Sequence, residues 1–587
     1  MVMGTSLVDA GSLLALDIGT VFTRAILFDV VEGRYRFLAS GAAPTTAGAP
    51  LNDISEGVRA ALDQLQEIAG RTLVGPDEQL IIPSQPDGSG VDACVATLSA
   101  GPPLKVVAVG LLEEVSAQSA QNLATTTYAQ VVETMSLDDR RKTVGRLDAL
   151  MRLRPDLIVI AGGTEGGAQQ SVTSMLEAVG LACYLLPKGQ RPEVLFAGNS
   201  ALVDEVKESL GSLASLHIAA NVRPSLDVEQ LTPAQPALGQ VYRHVRARQM
   251  RGVQEVDMWT SGKLLPTAMA FGRLIRTLSK EYAHTSKGVL GVDIGASATT
   301  VAAAFSGDLF LNVQSRLGLG AHLPQMLELC SLEEIQRWLS VEISDTDLRN
   351  YLYNKALYPA SLPATPNEMA IEQALACQAI SLTMRQARGS FPAHAVDSLP
   401  GLLPWFEPII AGGSVLTQAP TRGQALITLL NALQPTGITT IALDRNNLAA
   451  ALGAAAEANP LLLIQALDST NFQNLCTVIS PVGAANYGAP ILRAQMTYAD
   501  GHTSKVDVKM GALEVISLPI GQFGSLQLSP LHRFDVGMGG AGRGGTVKVM
   551  GGLFGVVIDA RGRPLGLPSD PARRRELLKK WLWTVNA

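Results

Sequence analysis

Short apolar runs, broken by polar and glycine positions, predict a three-strand meander over residues 13–41. Residues 42–100 are mixed, with helical spacing at about 54–69 and a loop around Pro83–Gly90. From Lys105 to about Asn221 the pattern alternates. Val106–Gly110, Leu157–Ala161, Val194–Ala197 and His217–Ala219 read as strands, and the stretches at about 168–179 and 201–211 as helices. Such alternation predicts a parallel, doubly wound sheet. Residues 263–283 predict one helix with small residues crowded on one face, and residues 323–390 are largely helical. Pro408–Ser414 reads as a strand ending in a glycine pair, and Asn447–Ala455 as a second helix with a small-residue stripe. From about residue 475 the pattern becomes β-rich, with short runs at Val506–Val508, Glu514–Leu518, Thr546–Met550 and Phe554–Ile558. A basic helix, Pro571–Trp583, follows.

Two of these strands end alike. Leu16-Asp17-Ile18-Gly19-Thr20-Val21-Phe22-Thr23-Arg24 and Val292-Asp293-Ile294-Gly295-Ala296-Ser297-Ala298-Thr299-Thr300 both leave a sheet through Asp-x-Gly into small or hydroxyl residues. A glycine there lets the backbone turn with its N–H groups outward, which can cradle a phosphate, and the carboxylate can hold Mg²⁺ directly or through water. Each opens a hairpin-like run, Ala25–Val30 with Tyr35–Ser40 and Thr300–Phe305 with Asp308–Val313. Together they predict a duplicated nucleotide-binding fold.

Composition narrows the class. At 587 residues the chain exceeds one core, and about three or four domains are expected. Apolar residues make up 47% and charged residues 17%, and a net charge of −6 gives no footprint for nucleic acid. The five cysteines are scattered without a CxxC pair, which points to a reducing compartment rather than zinc or disulfides. The seven histidines show no ligand spacing. The N-terminal stretch has no basic region, and the Ala-rich run at 447–464 is interrupted by Glu457, Asn459 and Pro460. Neither secretion nor a membrane span is expected, and the expected location is the cytoplasm.

Two glycine-rich segments stay ambiguous. Gly162-Gly163-Thr164-Glu165-Gly166-Gly167 follows a strand and suits either an anion-binding loop or a tight strand-to-helix turn. Gly537–Gly552 carries eight glycines near Arg543, which suits phosphate binding or, more simply, turns between strands. The five basic residues within Arg573–Lys580 read as a solvated helix face.

In order, the chain offers a phosphate turn at 16–24, a small-faced helix at 266–273, a phosphate turn at 292–300, an Ala-Gly-Gly-Ser turn within 410–414 and a small-faced helix at 447–455. This order resembles the five-motif signature of the actin, heat-shock chaperone and sugar kinase superfamily: phosphate 1, connect 1, phosphate 2, adenosine, connect 2. Within it, the chain is similar to the MutL-type accessory proteins of glutamate mutase. That likeness rests on Ile160–Gly167, on Phe196-Ala197-Gly198-Asn199, and on an α/β insertion ahead of phosphate 2. It covers roughly residues 12–460.

The resemblance implies an α/β, two-lobed actin-like ATPase fold with duplicated mixed sheets, an inserted doubly wound subdomain and a β-rich C-terminal domain. The expected divisions are 1–104 (first lobe), 105–262 (insertion), 263–470 (second lobe) and 471–587 (C-terminal domain). It implies ATP and Mg²⁺ as cofactors. Asp17 and Asp293 would position the metal through water and orient the attacking water. Gly19, Thr20, Thr23, Gly295, Ser297 and Thr299 would hold phosphates. Gly412, Gly413 and Ser414 would lie against adenosine, and Gly272 and Gly453 would let the connecting helices cross at a hinge. Phosphate 2 departs from the pattern: Ala296 replaces a second glycine and Thr300 a later aspartate, so hydrolysis is expected to be slow.

The function implied is an ATP-dependent reactivating chaperone whose partner is a cobalamin-dependent mutase. Two other readings compete. An actin-like scaffold that binds nucleotide without turnover would form filaments. A small-molecule kinase would use Asp293 to take a proton from an acceptor hydroxyl, but no cluster of Trp, Asn and Asp suited to a sugar lies near phosphate 1. Oligomeric state is not legible.

Overall fold

The computed structural model describes residues 11–282, 287–396, 400–467 and 471–586. Parts of the expected first lobe (1–10), connect-1 helix (283) and second lobe (283–286, 397–399 and 468–470), and residue 587, lie outside them.

The chain divides into two compact units. One comprises Met1–Phe271, Leu311–Ser315 and Ala450–Leu462, the other Gly272–Phe310, Arg316–Ala449 and Leu463–Ala587. Two of the five changes of unit along the chain, at Phe271/Gly272 and at Ala449/Ala450, fall within the helices Thr267–Glu281 and Ala449–Ala455, at the places expected for connect 1 and connect 2.

The expected meander forms. β1 (Leu13–Ile18) is buried throughout, and pairs antiparallel with β2 (Phe22–Val31), which pairs antiparallel with β3 (Arg34–Pro44). On its other edge β1 runs parallel to β4 (Ala93–Leu98). The insertion then supplies β5 (Leu104–Gly110), β6 (Ala129–Met135), β7 (Leu157–Ala161), β8 (Glu193–Phe196) and β9 (Ser215–Ile218). These form a wholly parallel sheet in the order β6-β5-β7-β8-β9. β5 and β7 are apolar runs because the sheet is covered on both faces. The chain returns to the first sheet as β10 (Leu265–Pro266), parallel to β4.

The second half repeats this plan. β11 (Gly288–Ile294) pairs antiparallel with β12 (Thr299–Phe305), and β13 (Asp308–Gln314) lies beyond it. On the other edge β11 runs parallel to β14 (Phe406–Gly412), and β14 parallel to β15 (Gly437–Asp444). The first sheet reads β3-β2-β1-β4-β10 and the second begins β13-β12-β11-β14-β15. Order and strand direction agree, so the mixed α/β sheet is duplicated. The helices over the second sheet are firmly started: Thr365 with Glu368, and Thr421 with Gln424, form capping boxes on Pro366–Ala387 and Arg422–Leu433.

The segment from residue 471 is divided in use. β16 (Phe472–Ser480), β19 (Leu513–Ile516) and β22 (Val556–Asp559) extend the second sheet. β17 (Pro490–Thr497), β18 (Thr503–Lys509), β20 (Phe523–Pro530) and β21 (Gly545–Met550) form an antiparallel sheet of their own. Ile479, Val556 and Ile558 share a core with Leu492, Met496 and Leu526, so the small sheet packs on the end of the large one. In the glycine-rich stretch, Gly545 opens β21, while Gly537, Gly539, Gly540 and Gly542 have positive φ, as turns require. The basic helix Pro571–Thr584 buries Leu578 and Trp581.

All five cysteines are free and buried. Burial pushes the Cys94 thiol up to about 12, and Cys183 and Cys330 to about 11. Thiolate, the reactive form, is therefore scarce at neutral pH. An aromatic disulfide reagent is expected to label almost none of the native protein and all five thiols after unfolding. Rapid native labelling would contradict this packing.

Candidate functional site

The two Asp-x-Gly turns are equivalent residue by residue. Asp17 faces Arg24 across β1 and β2, and Asp293 faces Thr300 across β11 and β12, with the same number of residues between. Each turn closes on the same hydrogen bond: Gly19 N–H donates to Phe22 O at 3.0 Å, and Gly295 N–H to Ala298 O at 2.9 Å. A Cβ at Gly19 would stand 2.8 Å from Phe22 O, so the turn closes tightly only without one.

In the first turn Asp17 is 8% exposed. Its Oδ1 accepts from Thr97 Oγ1 at 2.8 Å and from Thr267 Oγ1 at 3.4 Å, and Arg24 Nη1 lies 3.6 Å from Oδ2. The carboxylate is thus fixed in direction, and its charge is partly offset. Thr20 Oγ1 is buried and has no hydrogen-bond partner. A buried hydroxyl left so costs about 1–3 kcal/mol, which makes it a candidate contact for a bound group. Thr23 differs: it is fully buried on β2, and its hydroxyl shares a 2.9 Å hydrogen bond with that of Thr45.

The second turn lies against the glycine pair. Asp293 is in register with Gly412, as Asp17 is with Thr97. A Cβ at Gly412 would stand 2.8 Å from Asp293 Oδ1, and one at Gly413 only 2.0 Å from Ile294 O. Gly413 also holds φ at +101°. Hence the glycine pair has a structural reason, close approach to the strand that carries Asp293. Ser414 is exposed and opens the short helix Ser414–Thr417. Thr299 is buried and donates to Leu317 O at 2.7 Å, so its hydroxyl braces the turn from behind. Ser297 is half-buried, and Ala298, Thr299 and Thr300 are buried. Gly318 and Gly320 press on Ala296, where an added Cβ would come within 2.4 and 2.6 Å of Ala296 O.

Sequence reasoning named neither Thr97, Thr267 nor Arg24 as partners of Asp17. Arg24 was within reach of a register argument, because a hairpin opening at Gly19 sets Asp17 opposite it. Asp444 was also missed. Its carboxylate accepts from Leu448 N at 2.9 Å and Ala449 N at 2.8 Å, which starts the connect-2 helix at one fixed point.

In the insertion, the order β6-β5-β7-β8-β9 places a topological switch point between β5 and β7. The Gly162–Gly167 loop follows β7, and three of its N–H groups are used within the insertion. Glu165 N–H donates to Pro224 O, Gly166 N–H to Asn199 Oδ1, and Gly167 N–H to Thr164 O. Glu165 itself accepts from Asn221 Nδ2 at 2.7 Å and pairs with Ser200. Of the two readings left open by the sequence, the geometry favours the tight turn over an anion cradle. Among the described residues, no helix is long and apolar enough to cross a membrane.

The sequence profile described as MutL protein matches residues 13–470. A curated relative, protein MutL of Clostridium tetanomorphum, is 24% identical over 398 residues, 64% of this chain and 78% of that protein. Among solved structures, a diol dehydratase-reactivating factor in nucleotide-free form shares 12% identity at a TM-score of 0.30, covering 77% of this chain and 100% of its own. A glycerol dehydratase reactivase shares 12% identity at a TM-score of 0.28, covering 76% and 100%.

Proposed function

Because this chain belongs to the MutL protein family, we propose that it is an ATP-binding accessory protein that reactivates a cobalamin-dependent mutase such as glutamate mutase. The observation that carries the nucleotide part is the repeat of one turn in two equivalent sheets, with Asp17 and Asp293 at matching positions. The residues suit the group: Thr20 Oγ1, on the first turn, is buried without a partner. When bound, ATP with Mg²⁺ supplies a phosphoanhydride whose cleavage can drive a change of shape.

This chain's own part is to hold and orient. Asp17 and Asp293 take Mg²⁺ through water. For Asp17 the indirect mode follows from Arg24, whose guanidinium already offsets the carboxylate charge. Thr20 and Ser297 meet phosphate oxygens, while Gly19 and Gly295, whose N–H groups close the two turns, shape them. Thr23 and Thr299, whose hydroxyls are engaged inside the fold, support the two turns, and Gly412, Gly413 and Ser414 take the adenosine. Thr300 supplies no carboxylate to orient water, so turnover is slow. The two nucleotide states bind the mutase with different affinity, and that difference opens the mutase to release spent cobalamin. The protein works in the cytoplasm.

The test is recovery of a mutase inactivated with cobalamin that has lost its adenosyl group. Activity is expected to return only when this protein, ATP, Mg²⁺ and fresh adenosylcobalamin are all present. No recovery with the wild-type protein would contradict the proposal. Thr300 also favours a second reading, a nucleotide-binding scaffold without turnover, for which the outcome is filaments on adding ATP.

A further inference from the structure

We propose that Glu193, His217 and His244 form a binding site for one divalent transition-metal ion of the zinc class. The three residues are far apart in sequence, and the insertion's topology brings them together. Glu193 stands on β8 and His217 on β9, in register with Ser215 and Leu195 respectively, so both side chains leave the same face of adjacent parallel strands. His244 comes from the helix Gln235–Gln249. One donor atom from each lies within 4.8 Å of the other two.

The donor set, two imidazoles and one carboxylate, suits zinc with a fourth position left for water or a ligand. Tetrahedral coordination at about 2.0–2.1 Å separates donors by more than the 2.7 Å between Glu193 Oε2 and His217 Nε2, so the ion takes the place of that hydrogen bond as the side chains rotate. His244 is exposed and has room to turn; Glu193 is buried and His217 nearly so. The two rings already lie close, centroids 5.3 Å apart and tilted by 44°.

The carboxylate is oriented from behind. Arg248 Nη1 lies 3.2 Å from Glu193 Oε1, while Oε2 points at His217 Nε2 at 2.7 Å. One oxygen is therefore held by a neighbour and the other is aimed at the cluster, the arrangement in which outer partners steer a ligand. Burial alone would push the Glu193 carboxyl up. Hydrogen bonds from His217 and Ser215, with the nearby Arg248, hold it below the usual range. Partial burial and the adjacent His217 hold His244 low as well, against the pull of Glu193. Arg243 also faces the cluster but is paired with Asp257 at 3.4 Å.

The experiment uses the full chain after removal of metal by chelator and dialysis, with Zn²⁺ as titrant and Co²⁺ as spectroscopic probe. One Zn²⁺ per chain is expected, with visible d–d absorption when Co²⁺ takes its place and no competition from Mg²⁺. Loss of an outer partner alone weakens metal affinity about 10–100-fold. His244→Ala, which removes a ligand, is therefore expected to weaken Zn²⁺ by at least about 100-fold and abolish the Co²⁺ bands. Its denaturation curve without metal should match the wild type, because the ring is exposed. His217→Ala should lose Zn²⁺ in the same way. Absence of stoichiometric Zn²⁺ binding, displacement by Mg²⁺, or equal Zn²⁺ affinity in His244→Ala would each overturn the proposal. None of these readouts depends on ATP, so failure here is separable from failure of the nucleotide reading.

Discussion

Asp559→Ala is expected to cost about 3–5 kcal/mol of stability, the range measured when one partner of a buried ion pair is removed. Asp559 lies at the end of β22 with no exposed surface. Its Oδ1 accepts from Arg561 Nε at 2.8 Å, and its Oδ2 from Arg561 Nη2 at 2.9 Å and Arg563 Nη2 at 2.8 Å. Both guanidiniums are fully buried, so deleting the carboxylate strands two cations. The same cations tie distant parts of the second unit together. Arg561 reaches Asn431 Oδ1 at 2.7 Å and stacks on Trp581 at 4.6 Å, and Arg563 reaches Pro435 O at 2.7 Å. Urea unfolding of the variant should show a much earlier transition for the second unit. An unchanged midpoint would remove the cluster from any structural role.

The same cluster sets a pH dependence. Burial alone would raise the Asp559 carboxyl, but the two guanidiniums overturn that and hold it far below the usual range. A depressed native value stabilises the fold at every pH above the unfolded value, about 3.9 for aspartate. That stability is lost as pH falls from there through the native value. Asp559 therefore supports the fold fully at neutral pH and contributes less only below about pH 4.

Gly413→Ala is the second large effect, and it joins fold to site. At φ +101° and ψ 145° the backbone sits where L-residues are strained by about 1–3 kcal/mol. The added methyl would also stand 2.0 Å from Ile294 O and 2.9 Å from Ile294 N, so β11 has to move. Because Ile294 lies between Asp293 and Gly295, the movement is passed directly to the second turn. The expected result is a loss of about 3 kcal/mol or more, together with loss of ATP affinity in whatever fraction remains folded. Gly33→Ala is the matching control: its φ of +75° carries backbone strain, but nothing lies within 4 Å of the new Cβ. A Gly413 variant no worse than the Gly33 variant would contradict the close approach.

Much of this was legible along the chain, for identifiable reasons. Buried stretches such as Leu13–Leu16 and Leu157–Ala161 are continuous apolar runs, and the two Asp-x-Gly turns share spacing as well as composition. The observed helices at Ser55–Ala69 and Thr267–Glu281 carry the expected periodicity. What escaped depends on pairing across long separations. Thr97 and Thr267 reach Asp17 from 80 and 250 positions away, and no local pattern marks them. The C-terminal segment read as β-rich, yet nothing local shows that β16, β19 and β22 extend the second sheet while four other strands do not. Gly162–Gly167 could be resolved only by following its N–H groups to Pro224, Asn199 and Thr164. Glu193, His217 and His244 match no ligand spacing, since strand order and a packed helix bring them together.

The most direct test of the central claim is a titration of the purified chain with ATP in the presence of Mg²⁺, beside Asp17→Ala. Micromolar binding by the wild type is predicted, weakened by at least about tenfold in the variant, a difference of about 1.4 kcal/mol, with slow turnover lost entirely. No ATP binding by the wild type, or equal affinity in the two proteins, would contradict the account.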